Sequence, residues 1–153
     1  MNVPVPTIVE ATRPIAADAA TIFEFIADPA RQPLCDGNDN LAEAPPGQRV
    51  HAVGDVFSMT LTKGAVRHNH VVEFEEGRLI AWRPSEPGGE PPGHLWRWTL
   101  QPVSEELTLV THTYDWTELT DPARLERARA TTAARLGSSL ERLAALVEPA
   151  TRS

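Results

Sequence analysis

Imidazoles and indoles are the side chains of this sequence best equipped for chemistry. His68 and His70 stand two apart in "VRHNHVVEFE"; Trp82 follows, then His94, Trp96 and Trp98 in "HLWRWTL", then His112, Tyr114 and Trp116 in "THTYDW". A spacing of two places side chains on one face of an extended strand. His68, His70 and His112 could together supply three nitrogen ligands to zinc. Alternatively, an imidazole among aromatic rings loses its proton readily, stays neutral near pH 7 and can serve as acid or base. The third role is a polar anchor that hydrogen-bonds a ligand. The metal reading is the weakest, because any strand offers this spacing and no acidic residue shares the same face nearby. No metal and no other cofactor is expected.

The face these residues occupy follows from their neighbours. Within 67–75, one phase carries Arg67, Asn69, Val71, Glu73 and Glu75, and the other carries His68, His70, Val72 and Phe74. Burying the first set would strand an arginine and two carboxylates, at a cost on the order of several kcal/mol per uncompensated ion. The even set is therefore expected to point inward. Ile80 and Trp82, then His94, Trp96, Trp98 and Leu100, then Val110, His112, Tyr114 and Trp116 form the inner phases of the next three strands. All four tryptophans fall on this one surface.

The elements that must hold this surface can be read from the spacing. Asp18 is a plausible N-cap for a helix over 18–28, with Ile22, Phe25 and Ile26 as its apolar stripe and Pro29 just beyond its end. A second short helix or turn covers "PARQPLCDGN", and the loop "EAPPGQRVHAVGD" follows. From residue 55 the period becomes two: Phe57, Met59 and Leu61 alternate with Ser58, Thr60 and Thr62, opening an antiparallel meander. One helix is expected over 122–147, with Pro122 at its first position and Leu125, Thr132, Leu136, Leu140, Leu143 and Val147 on its buried stripe. Gly137, Ser138 and Ser139 bring little volume to meet the large aromatics of the sheet, which indicates either close packing or a pocket.

Composition removes several partners. The 153 residues carry a net charge of −7, and the 14 basic residues, 13 of them arginine, are scattered rather than striped, which disfavours nucleic acid. No apolar run is long enough to span a bilayer, and the first residues lack the basic start and apolar stretch of a signal peptide, so a cytoplasmic protein without membrane insertion is expected. The single cysteine, Cys35, is read as a reduced thiol, because its acidic neighbours would raise its pKa. "PGGEPPG" has neither the lysine nor the following helix of a phosphate loop.

Three stretches, "AADAATIFEFIADPARQPLCDGN", "VVEFEEGRLIAWRP" and "TLVTHTYDWTEL" leading into the closing helix, resemble the START-like, helix-grip SRPBCC superfamily of the polyketide cyclase/dehydrase type. The resemblance implies one α+β domain over 1–153, in which a curved antiparallel sheet wraps around a long C-terminal helix. It implies no metal. The expected partner is a small hydrophobic, aromatic or polyketide-like molecule bound between sheet and helix, with a homodimer allowed; the alternative is an aromatase/cyclase or dehydratase using His68, His70 or His112 as acid/base. Lipid carriers also belong to this superfamily. The expected ligand contacts are His68, His70, Trp82, Trp96, Trp98, His112, Tyr114, Trp116, Leu136, Ser139 and Leu140. Cys35 departs from the pattern, standing where many relatives have a tryptophan.

Overall fold

The computed structural model of the protein describes residues 6–37 and 40–149. Asn38, the last residue of the "PARQPLCDGN" turn, lies outside them. In chain order the elements are β1 (Ile8–Ile15), α1 (Ala19–Ala27), a 3-10 turn (Pro29–Leu34), β2 (Leu41–Glu43), β3 (Val56–Leu61), β4 (Val66–Glu75), β5 (Leu79–Ser85), β6 (Leu95–Ser104), β7 (Leu107–Asp115), α2 (Pro122–Ala130) and α3 (Ala133–Val147). Among the described residues the strands form one seven-stranded antiparallel sheet in the order β1-β7-β6-β5-β4-β3-β2. Helix α3 packs on it chiefly through β1 and β7.

Asp18 caps α1 as its sequence suggests, accepting from the Thr21 backbone N–H at 3.2 Å and the Thr21 hydroxyl at 2.6 Å. Ile22, Phe23 and Ile26 are buried, and Phe25 is only partly so. The first strand, β1, is not marked by strong alternation. It is an edge strand, which explains how it accommodates Pro14, a residue with no N–H to donate.

The single helix expected over 122–147 is corrected to two helices that meet at Thr131 and Thr132. The Thr131 hydroxyl donates back to the Arg127 carbonyl at 3.1 Å. Thr132 leaves helical geometry (φ −108°, ψ 162°) and its Oγ1 accepts from the Arg135 N–H, so it caps a new helix. Two consecutive β-branched hydroxyl residues favour such a break, since each can replace helical backbone bonds with its own. The two halves differ in burial. Along α2 only Ala128 is buried, whereas α3 buries Leu136, Ser139, Leu140, Leu143 and Ala144.

The main core joins Ile22, Phe23 and Ile26 of α1 to Ile80, Trp98 and Val110 of the sheet and Leu140 and Leu143 of α3. A second cluster places Tyr114, Trp116 and Leu119 against Ala128 and Leu136. The loop after the 3-10 turn presses on α3 at Gly37, whose N–H donates to Ser139 Oγ at 2.9 Å.

This contact gives Ser138 and Ser139 of α3 a structural reason. A Cβ at Gly37 would lie 2.4 Å from the Ser139 nitrogen and 2.7 Å from Ser138 Cβ, while one at Gly137 would meet open space. Gly37→Ala is expected to lower stability by about 1–3 kcal/mol, as overpacking does. Gly137→Ala is expected to raise it by about 0.4–1 kcal/mol through helix propensity and a less free unfolded chain. Urea unfolding of the two variants checks the opposite signs.

Candidate functional site

The inner faces of β6 and β7 carry a continuous aromatic strip. Their register sets Trp96 opposite Tyr114 and Trp98 opposite His112. The His112 ring stacks on Trp98 with centroids 3.7 Å apart and planes 14° from parallel. Trp96 lies 4.3 Å from Tyr114 and 5.5 Å from His112, and His94 meets Tyr114 edge-on at 6.1 Å. Trp82, paired with Trp96 from β5, extends the strip and contacts Phe57 edge-on at 5.3 Å. Offset and edge-on contacts of this kind contribute about 0.5–1.5 kcal/mol each beyond area burial, so the strip is a stiff wall.

That wall bounds a cavity of about 350 Å³, at the lower end of the range for small-molecule sites. Trp82, Trp96, Trp98, His112, Tyr114 and Ser139 line it together, as their inward phase requires. Trp116 and Leu136 instead pack in the second core cluster, and Leu140 in the main one. None of these three is among the cavity's lining residues.

His68 and His70 require a correction, because they face the opposite side of the sheet. Asn69 pairs with Pro84 and Val71 with Trp82, and both Pro84 and Trp82 line the cavity. His70 pairs with Arg83 on the other face, and its Nε2 is 2.9 Å from the Ser85 hydroxyl. The cause is a β-bulge: the pairing passes from Val71↔Trp82 to Glu73↔Ala81, which leaves Val72 as an extra residue. Before the bulge the odd positions point inward; after it the even ones do, and Phe74 packs on Phe23 at 5.8 Å. Glu73 therefore stays outside, where Arg97 holds it with two 2.7 Å bonds across Ala81. Arg67 is not stranded in the core but lines the cavity, partly exposed. The three histidines considered as a zinc set are thus divided between two faces.

Burial dominates the electrostatics of the cavity. It drives the His112 pKa down to about 3, with no charged neighbour contributing. It takes His94 down to about 4, helped by Arg124, Arg67, Arg83 and Arg127. Burial also raises Tyr114 to about 12 against the pull of Arg124 and Arg127, and Cys35 to about 12, with Asp36 adding to the effect. The thiol is therefore inert at neutral pH, and the two imidazoles and the phenol are neutral hydrogen-bonding groups. Both His94 Nδ1 and His112 Nδ1 are buried without a protein partner. Asn69, 5% exposed, lines the cavity with its amide unpaired among the described residues.

Asn69, His94, Gln32 and Cys35 are lining residues that the sequence reading did not select. His94 sits on a phase that alternation does identify. For Asn69 the signal is the Val71–Val72 doublet, two apolar residues in succession where a regular half-buried strand would alternate.

The chain has relatives in sequence and in structure. The chain is 30% identical over 105 residues to the uncharacterized protein Rv0088 of Mycobacterium tuberculosis, a match covering 67% of this chain and 44% of that one, so the chain spans under half the length of this curated relative. Protein MLL2253 from Mesorhizobium loti superposes with a TM-score of 0.65 at 17% identity, over 91% of this chain and 95% of that one. The Aha1 dimer from Colwellia psychrerythraea gives 0.64 at 17% identity, over 94% and 97%. Among the described residues no helix is long and apolar enough to cross a membrane. The family model for polyketide cyclase/dehydrase and lipid transport proteins matches residues 6–148, and with its curved sheet gripping a C-terminal helix the chain belongs to that family.

Proposed function

We propose that the protein binds a small hydrophobic molecule, aromatic or polyketide-like, in the cavity between the curved sheet and the C-terminal helix. The observation that carries this reading is the combination on one wall of three indoles, Trp98 stacked on His112, with two buried imidazole nitrogens that have no protein partner. The indoles suit a flat apolar body. An unpartnered buried nitrogen carries a desolvation penalty that a ligand's hydroxyl or carbonyl would offset.

A catalytic reading, cyclisation or dehydration with His112 as acid/base, is weighed against this by its protonation. An efficient general acid or base has a pKa near the working pH. His112 at about 3 and His94 at about 4 lie well below neutrality, so each supplies a hydrogen bond rather than a ready proton acceptor. Binding is accordingly the preferred function.

Two experiments follow. Titration with a panel of planar aromatic compounds should quench tryptophan fluorescence and raise the thermal midpoint with ligand concentration. His112→Phe, which keeps a ring against Trp98, should weaken carbonyl- or hydroxyl-bearing ligands about fivefold or more and leave plain hydrocarbons within twofold. A broad panel that produces neither quenching nor a thermal shift overturns the reading.

The second experiment concerns acid. The two histidines have folded pKa values below the ordinary 6.5, so below that pH the unfolded state binds more protons. Their contribution to stability is complete above pH 6.5 and is lost as pH falls toward 4 and 3. The slope is at most about 1.4 kcal/mol per pH unit for each. Chemical denaturation from pH 7 to 4.5 should show this loss, with a visibly shallower slope in His112→Phe.

A further inference from the structure

The chain is acidic, at −7, yet its cavity gathers cations. Lys63, Arg67, Arg124, Arg127 and Arg135 all belong to the lining, and Asp36 is the one carboxylate among the described lining residues. That carboxylate already accepts from the Asn40 and Leu41 N–H groups at 2.7 and 2.8 Å. Arg124 is engaged by Asp121 at 3.2 Å and Glu86 at 3.6 Å. Among the described residues, Lys63, Arg67, Arg127 and Arg135 have no carboxylate partner.

Their positions set like charges near one another. Arg124 and Arg127 are three apart on α2 and share a face. Partial burial bears first against the charge of Arg67 on β4, Arg124 and Arg127 add repulsion, and Glu86 offsets part of it. Arg135 occupies the first turn of α3, where the helix dipole disfavours a cation. Such an arrangement is relieved by an anion.

The cavity is also polarised from one end to the other. At the His112–Trp98 end the imidazole is stacked on an indole and burial accounts for its lowered pKa. At the His94 end four arginines act together. An aromatic floor and a cationic rim are thus joined by one strip of rings, with the unpartnered nitrogens of His94 and His112 along it.

We propose that the ligand is an anionic amphiphile, whose aromatic body lies on Trp82, Trp96 and Trp98 and whose oxyanion, a carboxylate or a phosphate monoester, is held at the rim by Arg67, Arg127 and Arg135. Guanidinium groups pair with both kinds of oxyanion through forked hydrogen bonds. This inference rests on the binding function proposed above and specifies the chemical class it serves.

Isothermal titration calorimetry with 2-naphthoic acid, 2-naphthyl phosphate and 2-naphthalenemethanol tests it at low ionic strength. At least one anion should bind tenfold or more tightly than the neutral alcohol, and the preference should shrink as salt screens the rim. Which anion binds more tightly identifies the head group. The double variant R67Q/R127Q should lose the preference to within threefold while binding the alcohol within twofold of the parent, and Arg67→Lys, which keeps the charge, should retain most of it. Thermal midpoints of the variants confirm that they are folded. If the alcohol binds as tightly as both anions, or the double variant keeps the full preference, the anionic class is wrong and the cavity remains a site for neutral ligands. If none of the three probes binds, the binding function itself fails.

Discussion

Val72 has no partner of its own on β5, since the pairing steps from Val71↔Trp82 directly to Glu73↔Ala81. A strand has two faces and a period of two, so one extra residue exchanges every side chain beyond it between those faces. The exchange lets β4 meet two incompatible demands. Its first half presents Arg67, Asn69 and Val71 to the same side as Phe57 and Met59 of β3. Its second half keeps Glu73 on the convex side for Arg97 and turns Phe74 toward α1. A regular strand would have to bury Glu73 or withdraw Asn69 and Arg67 from the cavity. The composition of the site thus depends on where this bulge falls.

The rest of the cavity is built by register and by small residues. Antiparallel pairing of β6 with β7 aligns Trp98 with His112 and Trp96 with Tyr114, so no further device is needed to assemble the aromatic wall. On the opposite side, Gly37 allows the loop after the 3-10 turn to touch the backbone of α3 at Ser138 and Ser139, and Ser139 is shared between that contact and the cavity lining. The break at Thr131 and Thr132 separates a well-buried α3 from an α2 whose arginines reach the cavity rim. Core packing therefore rests on α3, while two of the cavity's arginines stand on α2. Arg124 and Arg127 sit on the half that contributes little to the core.

What alternation could reveal, it revealed: Phe57, Met59 and Leu61 are buried on β3, and Trp82, Trp96, Trp98, His112 and Tyr114 meet on one wall. These strands are regular where the phase matters. The errors have two local causes. In β4 an uninterrupted period across Val71–Val72, combined with the cost of burying carboxylates, puts His68 and His70 on the wrong face, because the bulge changes the phase. In the C-terminal segment Leu125 and Thr132 happen to continue the stripe of α3, which hides a break written in the hydroxyls of two adjacent threonines. Edge strand β1, short of strong alternation and carrying Pro14, shows itself only through its partner β7.

The placement of the histidines is the point on which the account stands or falls. Nuclear magnetic resonance of protein carrying 13C-labelled histidine, recorded as 2-naphthoic acid is added, reads all five rings at once. The His94 and His112 ring signals are expected to move with ligand while those of His68 and His70 stay in place. Movement of His68 and His70 with silent His94 and His112 would put the ligand on the convex face and contradict it.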